Sequence, residues 1–502
     1  MQAKSESQRV PLLEKLGYSL GDCSANLVFQ MMMIYQTKFY TDVFGLEGAI
    51  AGTVLLIARI ADAFIDPVVG VLSDRTKTRW GKYRPWVLWT ALPFGVFYVL
   101  AFYNPGIESK ALLAFYATVS YILLMSMYSF NNTPYASLGG VMTGDIKERN
   151  SITSLRFVAA TVAQFVVQGL TLPLVGKFAG SEGDMGRGWF CTISIFAAVA
   201  VAFLAITFFS TKERIFPPAA QKSNIAQDIK DVFGDRSWRA MFVLTIFVFI
   251  TLAMWGSAMN YYFQDYIDAG ALYEFLTSVG LADVDSSAWY YGLLNSFGLV
   301  VHNSQQAYAV GFSMFNMLGA IVQFIGVLFL SVFLANRFGK KNVYIICLSL
   351  TAIFTACFYL PTPKDVEAIF VLNILKSLAY APTVPLLWAM IADVADHSEY
   401  VNHRRATGFV FAGIVFALKA GLGLGGAILG FALSSFGYVS GGGASQSAET
   451  VRGIVLSSSI IPAATFFVGV AALLFYPITK SFNIEIQNEL ARRRESEAGR
   501  GE

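Results

Sequence analysis

SDRTKTRWGKYRP, from Ser73 to Pro85, and ANRFGKKN, from Ala335 to Asn342, decide how this chain is organised. Each follows a long apolar run. Each reads acid or amide, Arg, a spacer, Gly, Lys. Alone, such a loop would only anchor a helix end through its positive charge. At matched positions in two sets of apolar segments, the pair marks an internal repeat.

The segments around the loops are long enough to cross a bilayer, which takes about 20 mostly apolar residues. Twelve are predicted, near 18–41, 47–72, 86–104, 111–138, 153–175, 188–210, 239–264, 306–335, 342–361, 366–392, 406–435 and 453–477. The longest polar gap in the middle, 211–238, splits them into two sets of six. Two parallel halves related by an axis along the membrane normal define the major facilitator architecture. The expected fold is therefore all-α and membrane-spanning, with twelve helices in two six-helix halves. Residues 1–210 form the N-terminal half and 211–238 a cytoplasmic linker. Residues 239–502 form the C-terminal half, with an external insertion at 265–305 and a cytoplasmic tail.

Composition supports a membrane protein. Of 502 residues, 55% are hydrophobic and 14% charged, against about 25% charged in a soluble domain. The 43 Phe and 43 Gly suit lipid-facing bulk and close helix packing. With the N-terminus placed in the cytoplasm, roughly 26 of the 36 Lys and Arg fall in cytoplasmic segments and about five in external ones. Segment 265–305 has no Lys or Arg. Residues 1–16 are polar and mixed in charge, so the first helix reads as an uncleaved span. A net charge of +3, with no basic stripe, excludes nucleic acid as a partner. Cys23, Cys191, Cys347 and Cys357 form no metal-ligand pattern and read as small hydrophobes. No Walker, G-x-S-x-G or H-E-x-x-H motif occurs, so neither ATP drive nor an enzyme is indicated, and no cofactor is implied. His302, His397 and His403 fall in loops or helix ends and read as solvated.

Charges inside spans are costly and mark pathways. Five basic residues lie inside: Lys38, Arg59, Arg156, Lys376 and Lys419. Three carboxylates do: Asp22, Asp62 and Asp66. In ARIADAFIDP, Ala58 to Pro67, the residues Arg59, Asp62 and Asp66 share one helical face. Two ionised carboxylates one turn apart repel, so one holds a proton or a cation lies between them. The plainer alternative is a buried Arg–Asp pair that locks helices together. Asp22, Asn26 and Gln30 form a polar stripe on helix 1. Tyr128, Ser129, Asn132 and Tyr135 follow one another on helix 4, where Thr133-Pro134 should loosen the helix. Arg156, Gln164 and Gln168 share a face of helix 5. Tyr128, Tyr135, Trp255 and Trp388 are candidates to stack on a sugar ring, with core packing the commoner fate of each. Lys38 is a candidate to snorkel outward, and Lys376 has no assigned role.

GYSLGDCSANLVFQ, FYTDVFGL, ARIADAFIDP, DRTKTRWGKYRPW, NNTPYASL, ERNSITSLRF and ADVADHSEY cover both halves. On these stretches the chain resembles the glycoside–pentoside–hexuronide:cation symporters, the melibiose permease-like carriers of the major facilitator superfamily. The helix-2 block with its loop is the most specific match. The resemblance implies a cation site at Asp62 and Asp66, joined by Ser129 and Asn132 of the helix-4 turn, with Na⁺ as one occupant. It implies solute contacts at Asn26, Tyr128, Asn132 and Arg156, with Lys419 near the junction of both sites; Gln30 of the polar stripe and Trp388 of the aromatic candidates join them. Asp74, Arg75, Arg79, Lys82 and Arg84 are the expected cytoplasmic gate, with topology alone as the alternative.

The departures bear on substrate. Melibiose carriers have carboxylates where Asn26 and Asn132 stand, an Asn where Ile65 stands and a Trp where Ala136 stands. The missing carboxylates leave Arg156 and Lys419 less neutralised, which favours an acidic or differently hydroxylated sugar. The missing oxygens favour a proton over Na⁺. Segment 265–305 exceeds the family pattern. The resulting expectation is symport of a sugar or glycoside with H⁺ or Na⁺ across the cell membrane, by alternating access. The alternatives are a lysophospholipid symporter of similar fold and a solute sensor that does not transport.

Overall fold

The computed structural model describes residues 9–180, 183–214, 225–402, 407–441 and 445–498. Among them helices dominate, and extended backbone pairs only in two isolated bridges. The long helices are α1 (Leu12–Ile34), α2 (Gly48–Arg75), α3 (Arg84–Ala101), α4 (Lys110–Val141), α5 (Ile146–Ala179) and α6 (Met185–Ser210). They continue as α7 (Arg236–Tyr261), α8 (Ser304–Phe338), α9 (Lys340–Cys357) and α10 (Val366–Tyr380, resuming at Thr383–Asn402). Then come α11 (Thr407–Ser435) and α12 (Ala448–Ser458 with Ile460–Leu474), followed by a polar helix at Lys480–Ala498. Nine described helices are long and apolar enough to cross a membrane. α1, α2 and α3 are not among the nine. α1 and α2 carry charges along their length, and α3 has Trp, Tyr and Pro where the others have aliphatic residues.

Side chains set the helix starts. Ser109 caps α4, Asp145 caps α5 through the amides of Lys147 and Glu148, and Asp184 caps α6. α1 begins well before the predicted residue 18. Its first turn carries Glu14 and Lys15, which bond Arg214 at 2.7 Å and Glu148 at 2.9 Å. Pro134 does not break α4, which stays helical from Lys110 to Val141. Proline there removes one backbone donor, but the packing of Tyr135 against α1 holds the helix in place.

The chain falls into two compact units. The first holds Met1–Ala220, Asn260–Met317 and Gly426–Val451. Tyr18 and Tyr135 stack there at 4.6 Å, and each hydroxyl donates to the other's backbone carbonyl. Gly48 and Gly52 of α2 meet Gly426 and Gly430 of α11. A Cβ built on Gly48 would lie 2.7 Å from the Gly430 oxygen, and one on Gly430 would lie 2.3 Å from the Gly48 oxygen. Two small-xxx-small stretches thus let the backbones touch.

α1 and α7 both end in a π-helical turn, Phe39–Val43 and Tyr262–Tyr266. FYTD and YFQD each place two aromatic residues, a polar residue and Asp in the same order. This second repeat is readable in the sequence, yet it goes unnoticed beside the longer loop motif. Segment 265–305 forms helices Ala269–Ser278 and Tyr291–Ser296. Lys177 of α5 donates to the carbonyls of Asn295 and Ser296 at its end.

The second unit holds Gln221–Met259, Leu318–Gly425 and Arg452–Glu502. Trp238, Leu244, Tyr344, Leu348, Met390 and Phe466 form its buried centre. The two repeat loops share their geometry, although each lies in its own unit. Gly81 has φ +114° and Gly339 has φ +82°. The Lys that follows each reaches a carboxylate, Lys82 to Asp74 at 2.9 Å and Lys340 to Asp393 at 2.7 Å.

Candidate functional site

Asp62 lies fourteen residues into the 28-residue α2, and so half-way along it. It is fully buried. Ser129 of α4, also buried, donates its hydroxyl to Asp62 Oδ1 at 2.6 Å. Asp66 follows one turn later and is half-buried. Asn132 is half-buried one turn beyond Ser129 on α4. Its neighbour Asn131 points elsewhere, donating to Val87 and Thr90 of α3. Arg59 is buried on the same helix, one turn before Asp62. Ser129 and Asp62 meet here, with Asn132 and Asp66 one turn further along their own helices. That set can take up a proton on a carboxylate, or offer oxygens to a small cation.

Arg156 and Asp22 come together at 3.2 Å, with the guanidinium over the Tyr18 and Tyr135 rings. This corrects the view of Arg156 as poorly neutralised, because Asp22 supplies its counter-charge. It also gives Asp22 a role that the polar stripe alone did not reveal. Asn26 donates back to the Asp22 carbonyl in its own helix. Gln30 accepts from Gln168 across α1 and α5 at 3.4 Å. Tyr128 is half-buried between Phe29 and Phe94. Tyr135 is no solute platform, since it is buried against Tyr18. In the second unit Lys419 is half-buried on α11, and Trp388 is 38% exposed on α10.

The expected gate residues bond chiefly within their own loop and to the end of α6. Lys82 and the Tyr83 hydroxyl both reach Asp74. Partial burial works against the Asp74 carboxylate, yet these two donors hold its pKa below the usual range. Glu213 accepts from the amides of Lys82, Tyr83 and Arg84. Arg84 donates to the carbonyls of Trp80 and Phe208. Arg79 lies over Trp80, and Arg75 is exposed.

Lys38 does not snorkel. It is 4% exposed and sits 2.9 Å from Asp42, over the ring of Tyr261. Tyr438 and Gln264 also donate to Asp42. Lys38 and Asp42 are one helical turn apart, but Tyr261, Gln264 and Tyr438 lie more than 200 residues away, and sequence reasoning missed the cluster. His397 is not solvated either. Its Nδ1 lies 3.0 Å from Asp235 Oδ2. Burial works to raise the Asp235 pKa, but hydrogen bonds from His397 and Ser237 prevail and hold it low. His302 is exposed on the insertion, and His403 lies outside the described residues. The four cysteines are free. Among the described residues no His, Cys, Asp and Glu group has the make-up of a metal site.

The profile of the family described as MFS/sugar transport protein matches residues 17–284 and 287–480. The inner membrane symporter YicJ of Escherichia coli is 33% identical over 492 residues, covering 97% of this chain and 96% of YicJ. The isoprimeverose transporter of Lactiplantibacillus pentosus is 31% identical, covering 94% and 90%. A glucuronide carrier protein homolog of E. coli is 29% identical, covering 94% and 95%. Among solved structures, a D-xylose-proton symporter superposes with a TM-score of 0.57 at 15% identity, over 93% of this chain and 96% of that one. The nucleoside transporter NupG does so with a TM-score of 0.57 at 14% identity, over 93% and 100%. The last two likenesses establish the major facilitator fold alone. The chain is thus a multi-pass membrane transporter rather than an enzyme, and it belongs to the MFS/sugar transport protein family, among the glycoside–pentoside–hexuronide:cation symporters.

Proposed function

We propose that this protein moves a sugar or glycoside across the cell membrane together with H⁺ or Na⁺ by alternating access. The carrying observation is Asp62, buried half-way along α2, bonded to Ser129 and one turn from Asp66. A cation at these carboxylates relieves their repulsion. A proton needs a single carboxylate, whereas Na⁺ prefers several oxygens, which favours a proton. The isoprimeverose and glucuronide names among the relatives support a sugar as solute.

In this reading twelve spans form two six-helix halves, 1–210 and 239–502, joined by 211–238. Both termini face the cytoplasm, as the distribution of Lys and Arg favours. The candidate solute contacts are Asn26, Gln30, Tyr128, Asn132, Arg156, Lys419 and Trp388. Asp74, Arg75, Arg79, Lys82 and Arg84 close the cytoplasmic side. The Lys38–Asp42 cluster closes the external side, supported by the glycine contact of α2 with α11. Cation and solute each raise the other's affinity by the same factor.

The test is uptake into proteoliposomes of a sugar and glycoside panel under imposed H⁺ or Na⁺ gradients. Accumulation that follows one of the two gradients is expected. Flux indifferent to both gradients would overturn the symport reading.

A further inference from the structure

Lys376 lies within α10 and faces an aromatic ring. It sits ten residues into α10, and Trp255 sits eleven residues before the helical stretch of α7 ends at Tyr266. At 1.5 Å per residue both lie about 15 Å from those helix ends, which is half the thickness of a hydrocarbon core. Solute sites of such carriers lie near that level. Both residues belong to the second unit.

The Lys376 ammonium lies over the Trp255 ring, 2.8 Å from its centroid. Among the described residues no carboxylate comes within ion-pair distance of it. Composition explains why. Within the second unit α7, α8, α9, α11 and α12 contain no Asp or Glu, and α10 has none between Glu367 and Asp393. Asp393 itself is taken by Lys340. Three other cations inside the helices differ. Lys38 has Asp42, Arg156 has Asp22, and Arg59 stands one turn from Asp62 on its own helix. Lys376 has an aromatic face instead. A ring attracts an ammonium less strongly than a carboxylate does, so it holds the cation without saturating it.

We propose that Lys376, parked on Trp255, is the charge-selecting residue of the solute site, and that the solute is an anionic sugar such as a hexuronide. The solute carboxylate takes the ammonium from the indole face on binding. An uncharged sugar leaves the lysine on the ring and gains nothing from it. This rests on the symport reading, but on a residue that reading does not use.

The experiment compares a methyl hexuronide with the matching neutral methyl hexoside, in proteoliposomes of wild type, Lys376→Gln and Lys376→Arg. Wild type should favour the uronide at least tenfold in uptake efficiency. Lys376→Gln should lose that preference, and Lys376→Arg should restore most of it. Size-exclusion profiles of each variant guard against misfolding, and the uronide-to-hexoside ratio is independent of protein amount. An unaltered ratio in Lys376→Gln, or a wild type that prefers the neutral sugar, would overturn the inference and leave symport standing. A wild type that carries no sugar of the panel under either gradient would overturn the symport reading itself.

Discussion

Ser129 Oγ donates to Asp62 Oδ1 over 2.6 Å, joining the middle of α4 to the middle of α2. A hydrogen bond to an ionised group contributes about 1.5–3 kcal/mol. Ser129→Ala should therefore shift the half-saturating cation concentration by about tenfold or more. Asp62→Asn and Asp66→Asn should go further and abolish accumulation while the protein still inserts. Concentrative uptake, measured beside membrane insertion, checks both. Wild-type accumulation by Asp66→Asn would show that the ion sits elsewhere.

Lys38 and Asp42 form a buried pair, with Tyr438 and Gln264 on the same carboxylate. Removing one partner of such a pair leaves a charge with too little compensation and costs about 3–5 kcal/mol. Lys38→Met should lower the unfolding midpoint in detergent clearly. Asp42→Leu added to it should recover much of the loss, because the orphan charge goes too. A double variant no more stable than Lys38→Met would mean that Asp42 is held mainly by its other donors.

Arg156 and Asp22 allow a cleaner test of role. If Arg156 only balances Asp22, replacing both should restore what replacing Arg156 destroys. If Arg156 contacts solute, no such rescue occurs. We expect Arg156→Gln to impair uptake strongly, and Asp22→Asn/Arg156→Gln to remain impaired. Solute uptake of the two single variants and the double variant, normalised to inserted protein, decides it.

The fold was legible because its signals are local. Apolar runs gave the helices, and the loops at Ser73–Pro85 and Ala335–Asn342 gave the repeat. The α2 face carrying Arg59, Asp62 and Asp66 was legible by helical spacing alone. What escaped is pairwise and distant. Asp22 and Arg156 are 134 residues apart in sequence, and Asp42 and Tyr438 are 396 apart. No periodicity reports such meetings. Tyr135 looked like a sugar platform for the same reason, since only packing reveals that Tyr18 already covers it. Arg59 shows the converse limit. Its spacing places it one turn from Asp62, but spacing alone does not say which groups a side chain meets.

The two repeat loops make the last prediction, since they share a backbone demand but differ in surroundings. Gly81 and Gly339 both have positive φ, at +114° and +82°. Gly339 has ψ 147°, in a region that is essentially restricted to glycine and costs other residues about 1–3 kcal/mol. Alanine at either site meets that strain. At Gly339 the added Cβ would lie 3.1 Å from the Lys480 Cβ, which a small shift can relieve. At Gly81 it would lie 2.5 Å from the Glu213 carboxyl carbon. Glu213 cannot simply move aside, because it accepts from three consecutive amides, those of Lys82, Tyr83 and Arg84. Gly81→Ala should therefore destabilise the protein more than Gly339→Ala in thermal unfolding. It should also free Lys82, exposing the loop to trypsin. Equal losses at the two sites would mean that backbone strain alone sets the cost, and that Glu213 is not the element that fixes the first loop.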